Sequence, residues 1–469
     1  MTKGSPINQQ LPIAFFLGAV IVSLLIGAII MILPSFFLAV LFAGFTLLLV
    51  SIFKPSIGFF ALLILTFGLI PFLPLDYRVF SELCLYAMLV SVAISLVFSQ
   101  KWESLYRYIK PWNLPLLLLG IVWVVAFVKG VLISHYHLGI ADARRYLGLC
   151  AIFVAAAAEA KKPDTVHKLA LFFGLLGALE LSTQMLTGLH ILAGFRGYEE
   201  LAKGFEDITR GSVIGGIYLI VYTLYYFTLT IVTGHVTGKK ISYMLAIILL
   251  VLGLIATFSR GLWLGVILAG VVIFILSNKI RVKLLGWVAA IVLLLLVCAS
   301  FTYLVKPRLF EAAIARVVSV QDEGAKGTSL GARFDENVQA IAAIKENWLL
   351  GMGHGGEYKK FLSQTGRGFD NEITFVHNSY LWVLVKMGIF GLGAYLFLVY
   401  RIGSLSLQRL GNDGKTDVNY VRRRSVFAAL VALLINGITS PVWAQFPDLV
   451  ALSMLLVIVA SASTRIKNT

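Results

Sequence analysis

The chain has 469 residues, of which 59% are hydrophobic and 13% charged, with a mean hydropathy of +0.90. Soluble domains carry about 25% charged residues, so this composition excludes a water-soluble enzyme, a secreted disulfide scaffold and a disordered chain; the three cysteines, Cys84, Cys150 and Cys298, all lie in apolar runs and imply neither disulfides nor a cysteine metal site. Lys and Arg outnumber Asp and Glu by 39 to 23, a net +16 that in a soluble protein would suggest nucleic acid, whereas in a membrane chain it reads as positive-inside loops and no nucleic-acid partner.

The apolar runs are continuous, not alternating, and approach the roughly 17–25 residues that a spanning helix needs, so they exclude a β-barrel. In chain order they predict fourteen spans: 13–33, 35–53, 57–73, 80–98, 114–134, 145–160, 168–187, 212–233, 242–258, 261–278, 284–305, 377–400, 425–443 and 447–463. The sixth is short and Ala-rich and the last pair is weakly delimited, so the expected fold is an all-α polytopic transmembrane helical bundle of 12–14 spans in the lipid bilayer. The first span lacks a small-residue cleavage site and reads as an anchor.

Basic clusters orient the bundle. Lys54, the Lys101–Lys110 group, Lys161 and Lys162, Lys239 and Lys240, the Lys279–Lys283 group, and Arg401 through Arg422, Arg423 and Arg424 all fall in even-numbered connections. Both termini are then expected in the cytoplasm and the odd connections outside. Two outer connections are long, about 188–211 and 306–376, and long loops without function are uncommon. The expected organisation is therefore 1–305, transmembrane helices 1–11; 306–376, a large periplasmic catalytic loop; and 377–469, the C-terminal transmembrane helices. Within the loop, Phe334, Val338, Ile341, Ala342 and Ile344 form an apolar stripe, with Asp335, Glu336, Gln339, Lys345 and Glu346 on the remainder. This predicts an amphipathic helix on the bilayer surface or capping the bundle, followed by a flexible glycine-rich turn at Gly351–Gly356.

Charges on the outer side have no topological reason. Arg210 opens span eight, Arg260 sits between spans nine and ten, and His377 opens span twelve, each at an expected outer helix N-terminus. Such termini offer unpaired N–H groups and positive partial charge. Guanidinium groups add bidentate donors matched to phosphate oxygens, so the set suits a dianionic or pyrophosphate ligand. Arg333 begins the amphipathic helix, and Arg144 and Arg145 precede span six. Each has a plainer reading: boundary arginines reach lipid headgroups, and His377 stands where Asn378 or Ser379 would cap a helix. No Asp-x-Asp and no metal-ligand spacing occurs on the outer side, so no metal and no cofactor is expected. Glu180 in span seven is the main intramembrane acid and would suit a proton path in a transporter, the reading from another class. The notable charges gather at one face, however, and no half-to-half symmetry marks a transporter.

Ser259-Arg260-Gly261, Gly331-Ala332-Arg333, Asn347-Trp348-Leu349-Leu350-Gly351-Met352-Gly353, and His377-Asn378-Ser379-Tyr380-Leu381 followed by Gly388-Ile389-Phe390-Gly391-Leu392 together resemble the O-antigen ligase and polymerase superfamily, over roughly residues 210–400. The resemblance implies a metal-independent glycosyltransferase of C-type fold in the bacterial inner membrane, active at the periplasmic face in lipopolysaccharide biosynthesis. Its donor would be a glycan on undecaprenyl pyrophosphate. The acceptor would be lipid A-core in a ligase or a lipid-linked glycan in a polymerase; an oligosaccharide transferase acting on protein is a further alternative. By motif position, Arg260 and Arg333 match the family's pyrophosphate-binding arginines, with Arg210 beside them, and His377 matches its proposed general base. Arg144, Arg145 and His354 are secondary candidates. Two departures stand out: His354 is a second histidine in the glycine-rich turn, and fourteen spans exceed the twelve of a ligase.

Overall fold

The computed structural model describes residues 54–69, 79–99, 102–133, 136–187, 216–235, 240–257, 259–277, 280–286, 289, 300, 303–304, 329–358, 376–408 and 417–464. The first two predicted spans, most of the eleventh, Arg210 and Cys298 lie outside them. Every regular element among the described residues is helical: α1 (Pro55–Leu63, continued as a π-helix to Leu69), α2 (Val79–Ser99), α3 (Trp102–Ile109), α4 (Asn113–Ile133), α5 (Tyr136–Tyr146), α6 (Ala151–Lys161), α7 (Thr165–Thr187), α8 (Ile217–Thr233), α9 (Lys240–Ala256), α10 (Arg260–Leu276), α11 (Ser329–Glu346), α12 (Ser379–Leu407), α13 (Val418–Asn436) and α14 (Phe446–Thr464). Four segments among them are long and apolar enough to cross a membrane: Glu103–Ile133, Thr165–Thr183, Ser379–Leu407 and Phe446–Ser463. The protein is a helical integral membrane protein.

The most apolar of the four segments is also the least buried, as expected of a helix with lipid as its solvent. The α4 segment is the most hydrophobic of the four, and Leu117, Ile121, Val124 and Val128 on it are exposed. α14, weakly delimited by hydropathy, is almost wholly buried and packs on α6, α7, α12 and α13. Small residues draw these helices together: a Cβ on Gly265 of α10 would lie 2.8 Å from the Ala432 carbonyl of α13, and one on Gly253 of α9 would lie 2.7 Å from Ala178 Cα of α7.

The predicted sixth span is corrected by the structure. Residues 136–161 do not form one helix over 145–160. α5 ends at Tyr146, a 3-10 turn covers Leu147–Cys150, and α6 begins at Ala151. The turn is where the chain meets α14: a Cβ on Gly148 would lie 2.7 Å from the Phe446 carbonyl oxygen, and Ser453 Oγ donates to the Leu149 carbonyl at 3.1 Å.

At one end of the bundle the start of α13 meets the turn between α6 and α7. Arg422 Nη1 lies 2.6 Å from Asp164 Oδ1, and Glu159 accepts from the amides of Asp164 and Val166 and from Ser461 Oγ. Arg422, Arg423 and Arg424 are buried by the packing of α13, not held in a solvated loop. The opposite end carries the starts of α8, α10 and α12 and the close of α13: Asn436 Nδ2 donates to Tyr218 Oη at 2.9 Å, Ser379 N–H to the Gly437 carbonyl at 2.8 Å, and Gly261 abuts Thr439.

Candidate active site

α13 closes at Asn436, and the turn that follows organises this second end. Ser379 at the start of α12 donates its backbone N–H to the Gly437 carbonyl at 2.8 Å and its hydroxyl to the Ser440 carbonyl at 2.7 Å. Across the turn, the start of α10 approaches so closely that a Cβ on Gly261 would lie 2.4 Å from Thr439 Oγ1. Arg260 and His377 therefore flank the same 437–440 turn. Arg260 is the first residue of α10, half-buried, and its N-cap Ser259 makes no side-chain capping bond. At α12 the capping is done by Asn378, whose side chain accepts from the amides of Tyr380 and Leu381. His377 is thus released from the capping role.

Its imidazole is engaged elsewhere. His377 Nδ1 lies 2.9 Å from Glu336 Oε2, and the same oxygen accepts the His377 backbone N–H at 2.9 Å. Glu336 is on α11, where the amphipathic helix was expected, but the helix faces the other way from a core-packing one. Phe334 is 68% exposed, with Val338 and Ile341 also outward, while Glu336 and Ala340 face the bundle. α11 meets the bundle through Glu336 together with Ala340, Ala343 and Ile344, while Phe334, Val338 and Ile341 of the apolar stripe face outward. Arg333, half-buried, lies three residues before Glu336, on the same side of the helix. Tyr358 also hydrogen-bonds Glu336; burial and the carboxylate push its hydroxyl well above the usual tyrosine range, so it stays protonated and donates.

The segment that delivers Tyr358 is not the flexible turn expected from its glycines. Gly351, Gly353 and Gly355 have φ of +68°, +88° and +77°, the left-handed region that other residues rarely adopt. The run wedges between α4, α5 and α12. A Cβ on Gly353 would lie 2.6 Å from Gly130 N, and His354 N–H donates to the Ala126 carbonyl in the middle of α4. A kink at Gly388 makes room on the other side. Ile389 N–H bonds the Trp348 carbonyl, and the Val385 and Lys386 carbonyls accept from Met352 and Gly353. Backbone groups freed by the kink are satisfied by the loop, as a buried break in a helix requires.

An ion pair secures the wedge. Lys386, fully buried on α12, places Nζ 2.8 Å from Asp142 Oδ2 of α5 and 3.0 Å from the Gly356 carbonyl; Gly355 N–H donates to the same Asp142 oxygen at 2.8 Å. Lys386 also sits 4.9 Å over the Trp382 ring. His354 is sealed beside this pair, 5.3 Å from Tyr146 and 6.2 Å from Trp123 between ring centroids. Burial pulls its imidazole down to about 3, so it is neutral. The second histidine candidate thus packs inside the bundle, fully buried.

Among the sequence candidates, then, the structure brings Arg260, Arg333 and His377 to one end. Arg144 and Arg145 close α5, which packs on the 442–444 turn at that end; Arg144 Nε lies 3.6 Å from Glu82 Oε2, an ion pair that gives it a structural task. Sequence reasoning missed Glu336, Tyr358, Asp142 and Lys386 as site residues. Glu336 was counted among the polar residues of an amphipathic helix, and its spacing from Arg333 was the one signal that it shared a face with a site residue. Among the described residues, no three His, Cys, Asp or Glu side chains converge as a metal-binding group.

Residues 245–396 match the family model described as O-antigen ligase, which supports the superfamily resemblance over the segment holding Arg260, Arg333, Glu336, Tyr358 and His377. An uncharacterised protein of Haemophilus influenzae is 29% identical over 216 residues, covering 43% of this chain and 52% of that protein. The chain thus aligns with about half the length of that relative.

Proposed function

We propose that the protein is an O-antigen ligase: it transfers a glycan from undecaprenyl pyrophosphate to a sugar hydroxyl of lipid A-core, at the periplasmic face of the inner membrane. The observation that carries this reading is the arrangement of Arg260 and His377 around the 437–440 turn, with Arg333 one helical turn before Glu336, which holds His377. The family match over the same segment supports lipid-linked glycans as the substrate class.

In this reaction the acceptor hydroxyl attacks the anomeric carbon as the diphosphate leaves, with inversion. His377 takes the hydroxyl proton, a contribution of roughly 10²–10⁴-fold. Arg260 and Arg333 hold the departing diphosphate; preorganised donors of this kind contribute about 3–4 kcal/mol each in a water-poor site, so guanidinium groups fill the role a divalent metal has in other glycosyltransferases.

Deletion of the gene followed by analysis of lipid-linked and lipopolysaccharide glycans tests the reading. Unligated lipid-linked polymer is the expected result. Accumulation of single repeats would make the protein a polymerase, and unchanged lipopolysaccharide with loss of glycoprotein would make it a protein oligosaccharide transferase.

A further inference from the structure

Resting on the glycosyl-transfer reading above, we infer that Glu336 is a positioning residue for His377: it fixes Nδ1 as the protonated nitrogen and leaves Nε2 as the base that faces the acceptor hydroxyl. A neutral imidazole has one donor and one acceptor nitrogen, and the partner of one decides the role of the other. Here Glu336 Oε2 grips His377 twice, by Nδ1 and by the backbone N–H, each at 2.9 Å. The carboxylate thereby sets both the tautomer and the rotation of the ring against its own main chain. Tyr358 supplies a third donor to the same carboxyl group. An ionised carboxylate accepts all three.

Within the pair the Glu336 side chain is 6% exposed and that of His377 28%, so the acid is the more buried partner and the imidazole the more accessible one. In the transfer step the acceptor O–H proton passes to Nε2 as the oxygen bonds to the anomeric carbon, and the electron pair of the breaking C–O bond leaves on the diphosphate. The imidazolium so formed faces an anion already in place, without reorganisation. The wedge at Gly351–Tyr358 has a part in this arrangement: the Asp142–Lys386 pair fastens the strand of chain that brings Tyr358 to Glu336.

The test uses purified full-length protein in nanodiscs with an undecaprenyl-pyrophosphate oligosaccharide and lipid A-core. Glu336→Gln keeps shape but loses the charge and offers an ambiguous partner to Nδ1; loss of such a partner costs up to about 10⁴-fold in turnover. The expected result is a fall in kcat of about 10²–10³-fold with KM within twofold, and partial rescue by Glu336→Asp. Wild-type kcat in Glu336→Gln, while His377→Ala is inactive, would overturn the positioning role and leave the proposed function standing. A second measurement needs no substrate and so separates the two. The 15N spectrum of histidine-labelled protein, assigned by His377→Gln, is expected to show the Nδ1–H form in the wild type and a mixture in Glu336→Gln. An Nε2–H tautomer in the wild type overturns the inference whatever the enzyme transfers.

Discussion

Replacing Lys386 with methionine keeps the stem that packs under Trp382 and removes the ammonium group. Asp142 then retains only the Gly355 N–H, and the Gly356 carbonyl loses its donor. The gross attraction of unit charges 2.8 Å apart is about 6 kcal/mol at an effective dielectric constant of about 20, opposed by the desolvation of both ions. Breaking one side of such a pair is the costly operation, about 3–5 kcal/mol, because the other charge stays buried. Lys386→Met should therefore lose about 4 kcal/mol. Asp142→Asn added to it should recover at least about 2 kcal/mol, since asparagine still accepts from Gly355. Equilibrium unfolding in mixed micelles, followed by loss of helicity, measures all three. A single variant within about 1 kcal/mol of wild type, or a double variant no more stable than the single, would refute the reasoning.

Other outcomes follow from the same geometry. Gly353→Ala should cost more than about 3 kcal/mol, combining left-handed strain of about 1–2 kcal/mol with a methyl 2.6 Å from Gly130 N; wild-type stability in the same unfolding assay would contradict this. His354 is held near 3 when folded against an ordinary 6.5, so below pH 6.5 the unfolded chain binds the extra proton. Its stabilising contribution is complete above pH 6.5 and is lost as pH falls toward 3, by about 2 kcal/mol at pH 5, and His354→Asn should flatten that part of the stability–pH curve. Arg260→Lys should lower transfer at least about 10²-fold, because a point charge cannot reproduce the bidentate fork; near-wild-type turnover would make Arg260 a topological residue. Chelators should leave turnover of the purified protein unchanged, and abolition by EDTA would show that the arginines do not suffice.

What the sequence disclosed was set by which signals are local. Continuous apolar runs revealed a helical bundle, since they depend on the bilayer and not on tertiary contacts. The last pair of spans was weakly delimited in sequence, and α14, buried among other helices, carries hydroxyl residues such as Ser453 and Ser461 that bond inside the bundle. Arg260, Arg333 and His377 were legible as charges without a topological reason. Glu336 was not, because an acid on an amphipathic helix ordinarily faces water, and only the fold turns this one inward. Asp142 and Lys386 stand 244 positions apart in the chain, and neither carries a local pattern. The glycine run was misread for a related reason: composition reports conformational freedom, whereas the partners that remove it, Gly130, Gly139 and the Gly388 kink, lie elsewhere.

The inserted loop also bears on how the protein is made. Helices α4 and α5 emerge from the ribosome more than 200 residues before the segment that seals them, and a groove along Ala126, Gly130 and Gly139 stays open until Gly353 and Gly355 arrive. Contacts of such long separation form late. The early half of the bundle must then reside in the bilayer as an unfinished assembly, and truncations that end before residue 351 should insert but remain protease-sensitive between α4 and α5.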